Sequence, residues 1–198
     1  MRFVKRDLAS KLNDVIHEEQ LELAGKQKRF DAIRPKWFEA DRECAESGAL
    51  LNAQAATYTR ASEPLFREHT EMLTREKEAR IAKRDSLLGT LPGDITELTD
   101  RIARRLSCLS GAFGGFISGV TDHNLSGGSR PQCSPELQAE LRAARKHAET
   151  LTDPAELLGL IEKTVSRIED EDLQFIPLFR MDQVIERALA VEGVRHES

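Results

Sequence analysis

Between Ile16 and Ala79 a mostly apolar residue recurs at every seventh position: Ile16, Leu23, Phe30, Trp37, Cys44, Leu51, Tyr58, Leu65, Met72 and Ala79. A strict seven-residue repeat keeps one stripe of a helix facing a partner, and it is the pattern of supercoiled helix packing. The companion row, three positions on, is weaker. Leu12, Ile33, Ala40 and Ala61 fit it, but Glu19, Lys26, Gln54, Glu68 and Arg75 occupy it too. A plain two-stranded zipper therefore has poor support. The expectation is a coiled-coil-like helical hairpin or three-helix arm over about residues 3–88, in which Trp37, Leu51 and Leu65 are contact residues.

Two prolines punctuate this region. Each removes a helix donor and disfavours α conformation in the residue before it. The stretch 57–62 is turn-like, Ser62 can cap, and Pro64 then falls in a first turn, so a helix is expected from Glu63 to Leu88, stopping at Gly89. Pro35 leaves a kink and a reversal both open, because the apolar phase continues across it. Leu91-Pro-Gly-Asp94 reads as a breaker with Asp94 as the next N-cap and Glu97 completing a capping box, which divides the chain into an arm (1–90) and a bundle (91–198).

The bundle is expected to hold about four helices. The first, 94–121, carries Ile95, Leu98, Ile102, Leu106, Leu109, Phe113, Phe116 and Val120 at intervals of three and four. A polar loop follows over 122–133. Ser134-Pro135 and Asp153-Pro154 each place a capping residue before a helix-starting proline, and a last helix with Val184, Ile185, Ala188 and Leu189 ends at Gly193. No strand is expected: the chain reads as all-α. Charged residues at 32% and aromatics at 5% suit long solvated helices.

Within the 94–121 helix lie Gly111, Gly115 and Gly119, four apart, with Gly114 added. Four glycines inside a helix cost roughly 3–4 kcal/mol relative to alanine, so a compensating contact is expected. Glycines at this spacing form a flat ridge for close helix packing, while Phe113 and Phe116 belong to a separate apolar face. Two faces imply two neighbours, within the chain or in a second copy.

Motifs for chemistry are weak. Leu125-Ser-Gly-Gly128 resembles the signature tetrapeptide of ABC-transporter nucleotide-binding domains, yet neither G-x-x-x-x-G-K-[ST] nor a strand accompanies it, so it reads as loop. Cys108, His123 and Cys133 match no zinc spacing. Asp14-x-x-His17 occurs once, whereas a carboxylate-bridged bundle site needs Glu-x-x-His twice. No catalytic residue, metal or cofactor is assigned. The three cysteines lack CxxC spacing, which fits a reducing compartment.

The net charge of −5 argues against a dedicated nucleic-acid binder. The best cationic cluster is Lys77, Arg80 and Arg84 with Arg101, Arg104 and Arg105, but acids interleave and equally suit intrahelical pairing. The sequence MRFVKRDLASKLND becomes charged before an apolar stretch forms, so no signal peptide is expected and the location is cytoplasmic, or an assembly built from the cytoplasm. The leading expectation is a non-enzymatic structural or adaptor subunit that self-associates through helix–helix contacts, a virion or secretion-type assembly being one setting. A nucleic-acid-associated protein using residues 75–105 is the alternative, and a membrane-active effector using 106–120 is weaker; neither nucleic acid nor membrane is the expected partner.

Overall fold

Helix formers, capping residues and the apolar spacing above produce a chain that a computed structural model describes over residues 6–56, 63–126, 133–171, 173 and 176–192. Among these described residues there are six helices and no strand: α1 (Arg6–Ala56), α2 (Glu63–Leu88), α3 (Leu91–Ser126), α4 (Pro135–Thr150), α5 (Pro154–Glu169) and α6 (Met181–Leu189). The fold is all-α.

α1 is a single helix of 51 residues with Pro35 inside it, so the chain does not reverse there. Pro35 lies on an exposed face, as does Asp31, whose carbonyl loses its helical donor. Water can satisfy that carbonyl. α2 has the bounds its sequence indicates, and Gly89 closes it in the left-handed region with φ 51°. The turn expected over 57–62 lies outside the described residues.

α3 departs from expectation at both ends. Asp94 is not an N-cap: its amide already donates to the Thr90 carbonyl at 3.0 Å, and the helix begins at Leu91. Pro92 and Gly93 occupy the first turn, where no intrahelical donor is required, so the pair opens a helix instead of breaking one. At the far end α3 runs on through Ser126, past Thr121 and into the first part of the expected loop. The later caps form as anticipated. Ser134 Oγ accepts from the Leu137 amide at 3.1 Å, and Asp153 accepts from the amides of Ala155 and Glu156. α6 ends at Leu189, and Gly193 lies outside the described residues.

Two compact units emerge, with bounds other than 1–90 and 91–198. One comprises Leu23–Thr96; the other joins Met1–Glu22 to Glu97–Ser198. α1 and α3 each contribute to both. In the Leu23–Thr96 unit, α1 and α2 are antiparallel neighbours, since Asp41 meets Arg84 while Ser47 meets Arg80. The inward stripe of α1 here is Leu23, Lys26, Phe30, Ile33, Trp37, Ala40, Cys44, Ser47, Leu51 and Gln54, all buried or half-buried at alternating spacings of three and four. That spacing is a heptad seam.

On α2 the seven-residue row fails to stay inside. Leu65 is 75% exposed, Met72 47%, and Ala79 is exposed as well. The inward positions are one residue later: Phe66, Leu73, Arg80 and Leu87, with Thr70, Lys77 and Arg84. A repeat read through 57–62 has no reason to keep its phase, because α2 is a new helix with its own rotation about its axis.

In the other unit, the core is formed by Leu12 and Ile16 of α1, Leu109, Phe113 and Val120 of α3, Leu137 and Leu141 of α4, Leu157, Ile161 and Ile168 of α5, and Ile185 of α6, all essentially inaccessible to solvent. The apolar faces of α3 and α6 are those read from sequence. That the first three turns of α1 join them is not. Because Gly89 sits at positive φ, Gly89→Ala is expected to destabilise the protein by about 1 kcal/mol. Gly25→Ala, at an exposed interior position of α1 with nothing within 4 Å of an added Cβ, is expected to stabilise it by about the same amount. Urea unfolding followed by Trp37 fluorescence checks both.

Candidate functional site: paired polar residues and open helix faces

Arg105, on the inward face of α3, is nearly removed from water, with 7% of its side chain exposed, and faces Glu19 of α1 at 10%. Its Nε and Nη2 donate to the two Glu19 carboxylate oxygens at 3.0 Å each, a bidentate fork. Nη1 donates to the carbonyls of Ala188 and Leu189, at 2.6 and 2.9 Å. Those carbonyls end α6, where the helix dipole is negative and intrahelical donors run out. One guanidinium thus satisfies a buried carboxylate and caps a helix. Arg101 lies 3.7 Å from the same carboxylate and bonds Glu97 at 2.8 Å, so two cations and two acids balance at this point.

The Leu23–Thr96 unit uses the same device three times. Lys26 donates to Asp94 at 2.8 Å, and this hydrogen bond holds the Asp94 carboxyl below its ordinary value of 3.8. Arg80 donates to Ser47 Oγ and to the Glu43 carbonyl. Arg84 donates to Asp85 and Asp41, the causes that raise its pKa, and its guanidinium lies 5.8 Å from the centre of the Trp37 ring. Glu19, Lys26 and Ser47 all belong to the companion row of α1. Polar residues that weaken a zipper pattern are here the positions at which neighbouring helices are recognised.

The six cations of the basic cluster are distributed accordingly. Arg80, Arg84, Arg101 and Arg105 hold partners inside their own units, Arg104 Nε donates to the Asp100 carbonyl one turn back, and Lys77 is half-buried on the inward side of α2. Within neither unit do these groups form one open cationic face.

The glycine ridge of α3 divides by role. A Cβ added at Gly119 would come within 3.1 Å of Pro177 Cγ, and one at Gly114 within 3.3 Å of Arg145 Nε, so both glycines permit close approach inside the chain. Gly111 and Gly115 are exposed and have nothing within 4 Å of that position. With Ser107, Ser110 and Ser118 they floor a shallow groove of about 300 Å3 bordered by Arg145 and Glu149. Phe113 is fully buried, and Phe116 packs against Phe179 with ring centres 4.9 Å apart. Trp37 and Leu51 are half-buried in the α1/α2 seam, whereas Leu65 is outside it.

Cys133 is fully buried, and desolvation, followed by the Glu171 charge, pushes its thiol pKa up. A less reactive thiol results. Leu125 and Ser126 end α3, while Gly127 and Gly128 lie outside the described residues, as does the side chain of His123. No described helix is long and apolar enough to cross a membrane. Compared with known proteins, the chain matches no family model, no curated protein and no solved structure.

Removing the Arg105 charge takes both fork hydrogen bonds from the buried Glu19 carboxylate, leaving Arg101 at 3.7 Å, and takes a donor from the carbonyls that end α6, so Arg105→Met is expected to cost about 3–5 kcal/mol in denaturant unfolding, and adding Glu19→Met to recover a large part of it. The Lys26–Asp94 pair gives a pH signature. A carboxyl depressed below 3.8 contributes stability above that pH and loses it as pH falls through its lower folded value. Asp94→Asn is therefore expected to lower stability at neutral pH and to flatten the acid limb of a melting-temperature profile.

Proposed function

We propose that this protein is a non-enzymatic structural or adaptor subunit that acts through helix–helix contacts and assembles with further copies of itself. The observation that carries this reading is the set of large apolar side chains left outside the α1/α2 pair: Phe38, Leu50, Leu65 and Met72 are all about half exposed or more. Leu65 and Met72 are one heptad apart on a helix whose adjacent stripe, one residue later, already faces α1. A helix with two apolar stripes has use for two neighbours, and among the described residues the second stripe stays exposed.

Gly111 and Gly115 support the same reading. Exposed glycines in a helix interior cost roughly 1 kcal/mol each, and among the described residues nothing lies within 4 Å of an added Cβ to offset it. The inward pairing of Arg80, Arg84, Arg101 and Arg105 weighs against the nucleic-acid alternative, because a phosphate contact would have to displace their present partners. Native mass measurement and light scattering of the full chain test the proposal. A concentration-dependent mass above that of the 22.2 kDa monomer is expected; a strict monomer at millimolar concentration is the result that overturns it.

A further inference from the structure

We infer that the cleft between α3 and α6 receives the outer face of α2 from a second copy of this chain. The inference rests on the self-association proposed above and specifies its surfaces. The cleft, of about 270 Å3, has apolar walls from Phe116, Pro177, Phe179 and Val184, with Arg180 and Arg187 on its rim. Both arginines are exposed, and neither pairs with a carboxylate among the described residues. In the same unit Arg101, Arg105, Arg145 and Arg167 each lie within ion-pair distance of a carboxylate; of those that do not, Arg180 and Arg187 are the two that line the cleft. Beside the cleft, Leu178 is 77% exposed. An apolar trough with two unpaired cations selects an apolar segment carrying acids.

The outer face of α2 has that chemistry. Leu65, Met72 and Ala79 line it, and Glu71 and Glu78 immediately precede the last two. All five are exposed. Glu71 has only a loose surface contact of 3.9 Å with Arg75, the kind that contributes little. Glu71 and Glu78 are seven residues apart, as are Arg180 and Arg187. Glu71 and Glu78 both lie in α2, about 10 Å apart along its axis, while Arg180 caps the start of α6 and Arg187 lies two turns into it, so the two acids can meet the two arginines at the ends of the trough while Met72 enters between them.

Donor and acceptor are different surfaces of one chain, so the contact is heterologous. Such contacts build rings when the rotation closes and filaments when it does not. The extra apolar row of α2, which has no role in its own hairpin, is thereby covered.

Sedimentation velocity on the full chain and its variants tests this, with helix content and melting temperature confirming that each variant folds. Arg180→Glu with Arg187→Glu, and separately Glu71→Arg with Glu78→Arg, should each weaken self-association by about tenfold or more. Mixing the two charge-reversed proteins should restore assembly, since every cleft then meets an α2 of opposite charge. Leu65→Ser with Met72→Ser should weaken association without rescue by either. Should the wild-type chain assemble but ignore both reversals, or should mixing fail to restore assembly, the inference is overturned while self-association stands. A wild-type chain that stays monomeric overturns both.

Discussion

The Arg105 guanidinium, with four N–H groups bonded and almost no surface in water, joins α1, α3 and α6 at one point. Desolvating a charge pair is expensive, and only near-complete hydrogen bonding makes it tolerable. That requirement sets positions as well as energies. Glu19 must reach α3 from α1 while Ala188 and Leu189 end α6 within reach of the same group. A shift of α1 by one residue along α3 would separate the carboxylate from its fork, whereas apolar neighbours such as Leu12 and Ile16 could slide at smaller cost. Specificity of register is thus concentrated in a single polar contact among otherwise greasy surfaces.

The same logic recurs along α1. Its primary heptad row supplies apolar area through Ile16, Leu23, Phe30, Trp37, Cys44 and Leu51, and its companion row supplies address labels through Glu19, Lys26 and Ser47. Apolar contact is non-directional and favours many registers about equally, while a buried or half-buried polar group favours the one that satisfies it. Lys26 with Asp94 and Ser47 with Arg80 fix how α1 meets its neighbours in the Leu23–Thr96 unit. Polar seams of this kind also explain how a chain with so few aromatics builds defined helix pairs.

What the seams leave uncovered is equally informative. α2 buries Phe66, Leu73 and Leu87 to varying degrees and exposes Leu65 and Met72, so its apolar content exceeds what one neighbour can cover. α3 uses Gly114 and Gly119 for close approaches within the chain but leaves Gly111 and Gly115 open. These exposed apolar side chains and open glycines are the surfaces on which the proposed self-association rests.

Much of the fold was legible in the residues. The all-α class, the bounds of α2 with its Gly89 stop, the capped starts of α4 and α5, and the buried faces of α3 and α6 follow from local rules, because spacing, capping and backbone preference act within a turn or two of the chain. The opening of α3 was misread for a related reason: Pro92 and Gly93 break helices in the interior but are allowed in a first turn, and sequence does not say which of the two positions they hold. Arg105 and Glu19 could not be paired in advance, since each looks like an ordinary charge on a charged helix and 85 residues separate them. The only signal was their shared place on otherwise apolar seams. By itself the sequence determined which segments are helical and which stripes are apolar; the tertiary structure alone decided which stripe is covered and which charge is buried, because both depend on the rotation and register of helices distant in the chain.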